Sequence, residues 1–514
     1  MAKLSKDNLF ILLKSLSQSE KRQFKLYVNR LADNVDAKFI LLFNLLDKME
    51  IYDEQKILES KIVTKTQLSN LKAHLYKQIL ISLRLNPVNQ NVRIFIREQL
   101  DFSTILYNRG LYKQSLKILE KAKQLAIEHE EKNIAFEIIE LEKVIESQYI
   151  TRSMSTRADE LVVEAKNISK LNVIASKLSN LSLQLYSIML KSGYVRNEQE
   201  KNEITEYFNN RMPKYKFEEL GFREKLWLYK AYVWYSFLTQ DFLTCYKYSQ
   251  KWIDLFEENP QMIYLNPVWY LKGNSYLLEC LYLLQNKSKI KQVIENLEKT
   301  INLDKFPKND NINSLCFLYF YNSKLNLFFL EGNFEQGLNL VDEVLKKIKS
   351  NQDRIDEHHV LVFYYKIACL YFGTGNNKKC IEYLNKIIDF KNISVREDLM
   401  CFARILSLIA HFEAGLDYKL ELQIISTLKF LVKMNELHAV QKEIIKFLKN
   451  LGSVYPNELK SELKILYDKL KTYENDPFEK RSFLYLDILT WLESRIENKP
   501  INIIIKEKAL KNVR

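Results

Sequence analysis

Glycine and proline are scarce in this chain, with ten glycines and eight prolines among 514 residues. Average usage is about 7% glycine and about 5% proline, so the sequence lacks the turn residues that a β-sandwich needs between its short strands. No proline occurs between residues 88 and 212. Such a stretch favours long helices, because proline breaks a helix interior. The composition predicts an all-α fold.

Long apolar runs are also missing. No segment approaches the roughly 18 consecutive apolar residues that a membrane-spanning helix needs. The apolar run Leu9–Leu13 follows a basic N-terminus but is too short for the core of a signal peptide. We therefore expect a cytoplasmic protein without a membrane span.

Cysteine is present at six positions, and none of the six forms a CxxC pair. Their spacing supports neither a disulfide framework nor a zinc site. All six lie in apolar stretches that fit helices, so we interpret them as reduced, buried small residues.

Signals of catalysis are absent as well. The sequence contains no GxxxxGK[ST] or GxGxxG loop for phosphates and no GxSxG nucleophile motif. His358 and His359 are adjacent, so on one helix their side chains diverge by about 100° and cannot chelate one ion from one face. Glu357 precedes them without the HExxH spacing of a zinc hydrolase. We predict that the protein is not an enzyme and uses no cofactor or metal ion.

The net charge of +13 is unevenly distributed. Residues 1–100 carry 17 Lys/Arg against 10 Asp/Glu, a net of +7, and residues 501–514 carry a net of +3. The 400 residues between them therefore carry only +3. That long segment is a poor candidate for following a phosphate backbone, so we expect nucleic-acid contact, if any, only near the N-terminus.

Half of the ten glycines are regularly placed. Each follows an aromatic-rich apolar stretch and precedes a second helical stretch. Their intervals of 83, 139, 43 and 40 residues divide into steps of about 40–46 residues, which places further turns near 151, 240 and 286. A period in this range is typical of stacked helical hairpins. These glycines are Gly110, Gly193, Gly332, Gly375 and Gly415.

The hairpin around Gly375 shows the pattern most clearly. Its first helix carries Ala368 between Tyr364 and Tyr371, and its second carries Cys380. Small residues let two helices approach closely, while large residues fill the groove between them. The equivalent small residues of other hairpins are Ser115, Cys245 and Gly337. This arrangement resembles the tetratricopeptide repeat, although its step exceeds the 34-residue unit of that family.

The resemblance implies a right-handed α-solenoid of tetratricopeptide-like hairpins at residues 91–450, preceded by an N-terminal helical domain at 1–90. In that family the first helix of each hairpin lines a concave face, which implies a scaffold or adaptor that binds a protein or peptide without catalysis. Asparagine side chains there would clamp a peptide backbone, because each amide both donates and accepts hydrogen bonds. The residues implied for this face are Asn180, Gln184, Lys191, Lys230, Trp234, Tyr319, Asn322, Asn326, Tyr365 and Lys366.

The N-terminal domain provides a second hypothesis. Five amphipathic helices are predicted, at residues 7–15, from a capping box at Ser17–Glu20, and at 37–49, 53–60 and 66–85. The last two could be a helix-turn-helix at 53–85 that contacts DNA in a transcription regulator, or simply part of a packing domain. The side chains that would meet bases or phosphates are Lys61, Lys65, Gln67, Asn70, Lys72 and Lys77.

The C-terminal region does not follow the repeat. After a break at Gly452–Pro456, residues 451–499 are predicted to form capping helices at 458–473 and 478–496, since helical arrays need a polar-faced end unit. Residues 500–514 form a basic tail in which Ile501–Ile505 fits an edge strand, a partner-docking peptide or a disordered segment. No feature of the sequence identifies the partner, the process or the oligomeric state.

Overall fold

The computed structural model describes residues 7–31, 37–86, 91–148, 156–351, 354–390, 397–415, 417–433, 439–450, 455, 457–479, 483 and 487–511. Every regular element in these ranges is helical and none is a β-strand, so the predicted all-α class is confirmed. No described helix combines the length and the apolarity that crossing a membrane requires. The chain divides into two compact units, Met1–Asn172 and Val173–Arg514.

The first unit begins with the five predicted helices, each within two residues of its expected bounds where these were given. The capping box is present: the Glu20 carboxylate accepts the Ser17 N–H at 2.8 Å, and the Ser17 hydroxyl accepts the Glu20 N–H at 3.2 Å. The helices are α1 (Asn8–Ser15), α2 (Gln18–Leu31), α3 (Ala37–Lys48), α4 (Glu54–Glu59), α5 (Lys65–Leu85), α6 (Val92–Asn108), α7 (Tyr112–Glu128), α8 (Lys132–Gln148) and α9 (Arg157–Ser192). The division between the two units falls within α9.

Helices α6, α7 and α8 pack in sequence as two successive hairpins. The Ser103 and Ser115 hydroxyls lie 2.6 Å apart, fully buried between α6 and α7, so the small residue predicted at 115 does mark a close contact. The turn between α7 and α8 has Glu130 at a φ of 60°. This turn was not predicted from the sequence, because it contains no glycine. The turn expected near 151 lies outside the described residues.

The second unit continues the helical succession. Its helices are α10 (Glu198–Arg211), α11 (Phe222–Leu238), α12 (Phe242–Glu258), α13 (Gln261–Leu265), α14 (Pro267–Leu283), α15 (Lys287–Ile301), α16 (Asp310–Glu331), α17 (Phe334–Leu338), α18 (Val341–Ser350), α19 (Glu357–Gly373), α20 (Asn377–Ile388), α21 (Glu397–Glu413), α22 (Asp417–Lys433), α23 (Ala439–Asn450), α24 (Leu459–Lys471), α25 (Ile488–Glu497) and α26 (Ile501–Lys511).

Five hairpins follow one another in this unit. We call the first helix of each hairpin its A helix (α11, α14, α16, α19 and α21) and the second its B helix (α12, α15, α17 with α18, α20 and α22). Each A helix packs against its own B helix, and α14, α16, α19 and α21 also pack successively against one another. The A helices therefore form a row of neighbours, as expected for a helical repeat. The right hand assigned to the solenoid remains a prediction.

The turns from A to B helices share one backbone geometry. In four of them the N–H of the residue after the turn residue donates to the carbonyl five positions earlier, at 2.8–3.0 Å. This is the hydrogen bond of a Schellman motif, which needs a left-handed residue at the turn. The turn residues have φ between 54° and 77° and are Gln240, Gln285, Gly332 and Gly375. The turns predicted near 240 and 286 are thus confirmed, although neither uses glycine.

Other glycines permit close contact between helices. A Cβ at Gly273 would lie 2.7 Å from Trp252 Cδ1, and one at Gly337 would lie 2.6 Å from Leu370 Cδ2. Trp252 is fully buried between α12 and α14. Replacing such a tryptophan with alanine costs about 3–5 kcal/mol. The close contact expected at Gly337 was with the other helix of its own hairpin, whereas Leu370 belongs to α19 of the next hairpin, and the contact at Gly273 was not predicted.

Two cysteines are joined. Cys245 of α12 and Cys280 of α14 form a disulfide, while Cys316, Cys369 and Cys380 are not joined to another cysteine. The interpretation of all six as reduced is therefore wrong for this pair. The partners lie 35 residues apart and meet because a B helix packs against the next A helix, which local spacing does not reveal.

The two predicted C-terminal helices are described in part. The first forms as α24. Of the second, expected at 478–496, Phe483 is helical and α25 begins at Ile488, while 480–482 and 484–486 lie outside the described residues. Near its expected start the Asp476 carboxylate accepts the Phe478 N–H at 2.8 Å, within a turn. Ile501–Ile505 opens helix α26, so the edge-strand and disordered alternatives are wrong.

Helix α26 packs within the unit, against α25 and α16. The Asn502 carbonyl oxygen would lie 3.1 Å from a Cβ at Gly332. The predicted divisions at 90, 450 and 499 stay predictions, and most of the predicted break at Gly452–Pro456 lies outside the described residues.

Candidate functional site

A cavity of about 590 Å³ opens on the A helices of the second unit. Its lining comes from the end of α9, the loop that follows, and helices α11, α14, α16 and α19. No lining residue lies on a B helix. Cavities of about 300–1,000 Å³ suit drug-sized ligands or a few side chains of a larger one.

Lining residues recur at fixed distances from the left-handed turn residue. Ten residues before the turns at 240, 285, 332 and 375 stand Lys230, Ser275, Asn322 and Tyr365. Six residues before the same turns stand Trp234, Glu279, Asn326 and Cys369. A separation of four residues is about one helical turn, so each A helix presents one continuous stripe to the cavity.

Eight of the ten residues implied for the concave face line this cavity. Asn180 and Gln184 do not, because α9 lines it only from Tyr186 onward, and both are exposed side chains elsewhere on that helix. The eight that come together are Lys191, Lys230, Trp234, Tyr319, Asn322, Asn326, Tyr365 and Lys366.

Three of the lining helices are tied by a chain of hydrogen bonds. Asn326 Oδ1 accepts from Lys366 Nζ, and Asn326 Nδ2 donates to Glu279 Oε2 at 3.4 Å. Asn326 is only 4% exposed. Its amide, expected to clamp a peptide, instead connects α14, α16 and α19, so Asn326 acts as a positioning residue.

Two other predicted residues have different surroundings. Asn322 is half-buried, and its side-chain oxygen is buried without accepting a hydrogen bond from the described residues. Buried polar atoms usually have a partner, so this unsatisfied oxygen can accept from a ligand once the side chain turns toward the cavity. Tyr365 is buried, and that burial raises the pKa of its hydroxyl well above the ordinary value. Tyr365 therefore contributes mainly its buried ring to the lining of the cavity.

Positive charge dominates the polar lining. The cationic side chains of lysine and arginine there are Lys191, Arg196, Lys230, Lys272 and Lys366, against the single carboxylate of Glu279. Arg196 pairs with Glu200 at 3.2 Å outside this lining. Within the described residues no carboxylate lies within 4.0 Å of the Lys230 or Lys272 ammonium group.

Lys230 and Lys272 stand on adjacent A helices and are both half-buried. The Lys230 Nζ lies 4.8 Å from the ring centroid of Trp227 and 5.4 Å from that of Trp269. Burial, with a smaller effect of the Lys272 charge, lowers the pKa of Lys230 to about 8. Burial also lowers the pKa of Lys272. Two partly desolvated cations without a countercharge attract an anion.

An aromatic wall lines the same cavity. The Trp234 ring centroid lies 4.8 Å from that of Tyr186 and 5.7 Å from that of Tyr276, with an interplanar angle of 80° in the second pair. Edge-to-face pairs of this kind hold the rings rigidly. The wall can therefore bury apolar or aromatic ligand surface beside the charged groups.

The residues that α14 contributes were not predicted, namely Lys272, Ser275, Tyr276, Glu279 and Tyr282. The repeat is weak there because its turn residue is Gln285 rather than glycine. The position of the turn residue in the sequence could nevertheless have identified them. Counting back from Gln285, as from Gly332 or Gly375, places Glu279 in the same register as Asn326.

The N-terminal candidates form a separate set. Helices α4 and α5 and the turn between them are present, with Lys61 at a φ of 55°. Lys72 is not available to DNA, because its ammonium group pairs with Asp7 and donates to the Tyr52 hydroxyl at 3.0 Å. The other five candidates are exposed: Lys61, Lys65, Gln67, Asn70 and Lys77.

Known proteins give no further guidance. Comparison with protein-family models and with curated protein sequences finds no match for this chain. Among the described residues, no group of three or more His, Cys, Asp or Glu side chains is arranged to hold a metal ion.

Proposed function

We propose that this chain is a non-catalytic scaffold or adaptor that binds a segment of a protein partner against the A helices of its second unit. We also propose that its hairpins form a right-handed, tetratricopeptide-like solenoid. One observation carries the proposal: stripes from four A helices and the end of α9 converge on a single cavity.

The lining has the mixed chemistry that peptide recognition needs. Trp234 and Tyr276 provide apolar area, while the free acceptor of Asn322 can receive a backbone N–H of the partner. The Asn326 network fixes the spacing of neighbouring A helices, so the face is preorganised. Preorganisation lowers the entropy cost of binding an extended segment.

A random dodecapeptide display library, panned against the full chain, tests the proposal. We expect a consensus to emerge whose peptides bind the wild type and lose about tenfold or more in affinity for an Asn322→Ala, Lys191→Ala double variant. The matched control is Asn313→Ala with Lys291→Ala. Both control residues are exposed, lie on α16 and α15, and are absent from the cavity.

Failure to enrich any consensus would contradict the proposal. So would peptides that bind the cavity variant and the control variant equally well, because their site would then lie elsewhere.

A second candidate function is DNA contact through residues 53–85 by a transcription regulator. Exposure of five of the six candidate side chains favours it. We expect binding of a fluorescent duplex to weaken between 50 and 200 mM salt, by about 40-fold if each of the three exposed lysines neutralises one phosphate. Lys65→Ala with Lys77→Ala should weaken it, whereas Lys291→Ala should not. Salt-independent binding, or equal effects of the two variants, would exclude this function.

A further inference from the structure

The cavity contains an uncompensated pair of cations. Lys230 of α11 and Lys272 of α14 both line it, both are half-buried, and neither has a carboxylate partner among the described residues. The Lys230 Nζ lies 5.4 Å from the ring centroid of Trp269, which stands about one helical turn before Lys272 on α14, so the two lysines are near neighbours. Two half-buried like charges repel each other, so an anion bound between them would stabilise the pair.

Two other cations of the lining already have acceptors, and a third, Lys191, is exposed to solvent. The Lys366 ammonium group donates to Asn326 and, at 3.3 Å, to the Asn322 carbonyl oxygen, and Arg196 pairs with Glu200. The Lys230 ammonium group lies over the faces of two tryptophan rings. Together Lys230 and Lys272 carry up to two positive charges that no carboxylate among the described residues neutralises.

One ordinary biological group carries that charge in a compact form. A phosphate monoester bears about −1.5 to −2 at pH 7 and has three acceptor oxygens, whereas a carboxylate bears only one charge. Tyr186, Trp234 and Tyr276 form a wall that would bury the carbon body attached to such a group.

We propose that Lys230 and Lys272 bind a phosphate monoester dianion, with its apolar or aromatic body against the Trp234 wall. This rests on the proposed function, in which the group is a phosphorylated side chain of the partner segment. The same chemistry could arrive on a free nucleotide, and the experiment separates these sources.

Titration of the full chain with phenyl phosphate, followed by tryptophan fluorescence, tests the dianion site. Benzoate serves as a monoanion with the same ring. We expect phenyl phosphate to bind at least tenfold more tightly than benzoate, and Lys230→Met with Lys272→Met to abolish this preference. Lys291→Met is the matched control, and Lys230→Arg, which keeps the charge, should retain the preference.

The double methionine variant should fold, because it removes two desolvated charges. We expect its thermal midpoint to equal or exceed that of the wild type while binding is lost, a combination that a merely structural role would not produce. Equal affinity for benzoate and phenyl phosphate, or unchanged binding by the double variant, would overturn the inference.

A phosphotyrosine dodecapeptide and adenosine monophosphate then distinguish the two sources. Tighter binding of the phosphopeptide, dependent on both lysines, supports the inference together with the proposed function. Tighter binding of the nucleotide with the same lysine dependence would keep the dianion site but overturn the peptide-binding function.

Discussion

The turn after α19 contains two glycines that have different physical roles. Gly375 has a φ of +77°, and a Cβ added there would meet no heavy atom within 4 Å. Gly373 lies two residues earlier with an ordinary φ, but its Cβ would lie 2.5 Å from Cγ of the Phe334 ring. Alanine substitutions at these positions therefore separate backbone strain from steric overlap.

The expected magnitudes follow from these environments. Gly375→Ala forces an L-residue into the left-handed region without any clash, which costs about 1 kcal/mol. Gly373→Ala forces the Phe334 ring, which is 8% exposed, to move within a packed interface, and overpacking of this kind costs about 2–3 kcal/mol. Gln285→Gly relieves a φ of 54° at an exposed position, so we expect a gain of about 0.5 kcal/mol.

Guanidinium unfolding followed by circular dichroism ranks these variants, and hydrogen exchange of the α19–α20 amides checks that the loss is local. The expected order of stability is Gln285→Gly, wild type, Gly375→Ala, Gly373→Ala. Equal losses at 375 and 373, or a loss on Gln285→Gly, would refute the reasoning that the turn residues are interchangeable left-handed positions.

Three further predictions concern other parts of the fold. Thiol titration of the unreduced, denatured chain should find four reactive cysteines, because Cys245 and Cys280 are joined; six would contradict the bond. Lys123→Met should cost about 2 kcal/mol on chemical unfolding, since it removes the 2.8 Å partner of the buried Glu142 carboxylate and leaves it paired with Arg157 at 3.5 Å; no loss would exclude that role. Asp356→Ala should cost about 1 kcal/mol by removing the cap of α19. Hydrogen bonding to His359 lowers the Asp356 pKa from 3.8 to about 2, so this difference should shrink as pH falls through that range.

Much of the architecture was predictable because it depends on local patterns. The N-terminal helices follow amphipathic periodicity and a capping box at Ser17, and the five regularly placed glycines all adopt positive φ. Aligning the hairpins on those turns placed eight of ten face residues around one cavity. Local chemistry sufficed there, because a left-handed turn fixes the register of both flanking helices.

The remaining features depend on contacts between distant residues. Glu130, Gln240 and Gln285 occupy left-handed turns without glycine, since Schellman hydrogen bonds can hold a longer side chain in that conformation. The pairing of Cys245 with Cys280 depends on packing between neighbouring hairpins, and no spacing rule anticipates it.

The stripes on the A helices have a consequence for the length of any bound segment. Packed helices lie about 8–10 Å apart, and an extended peptide advances about 3.3 Å per residue. A segment that crosses α11, α14, α16 and α19 would therefore meet a new stripe about every third residue. Its recognition motif would have a period of three, so that sliding it by one residue would misplace every contact, while sliding it by three would restore all but the last.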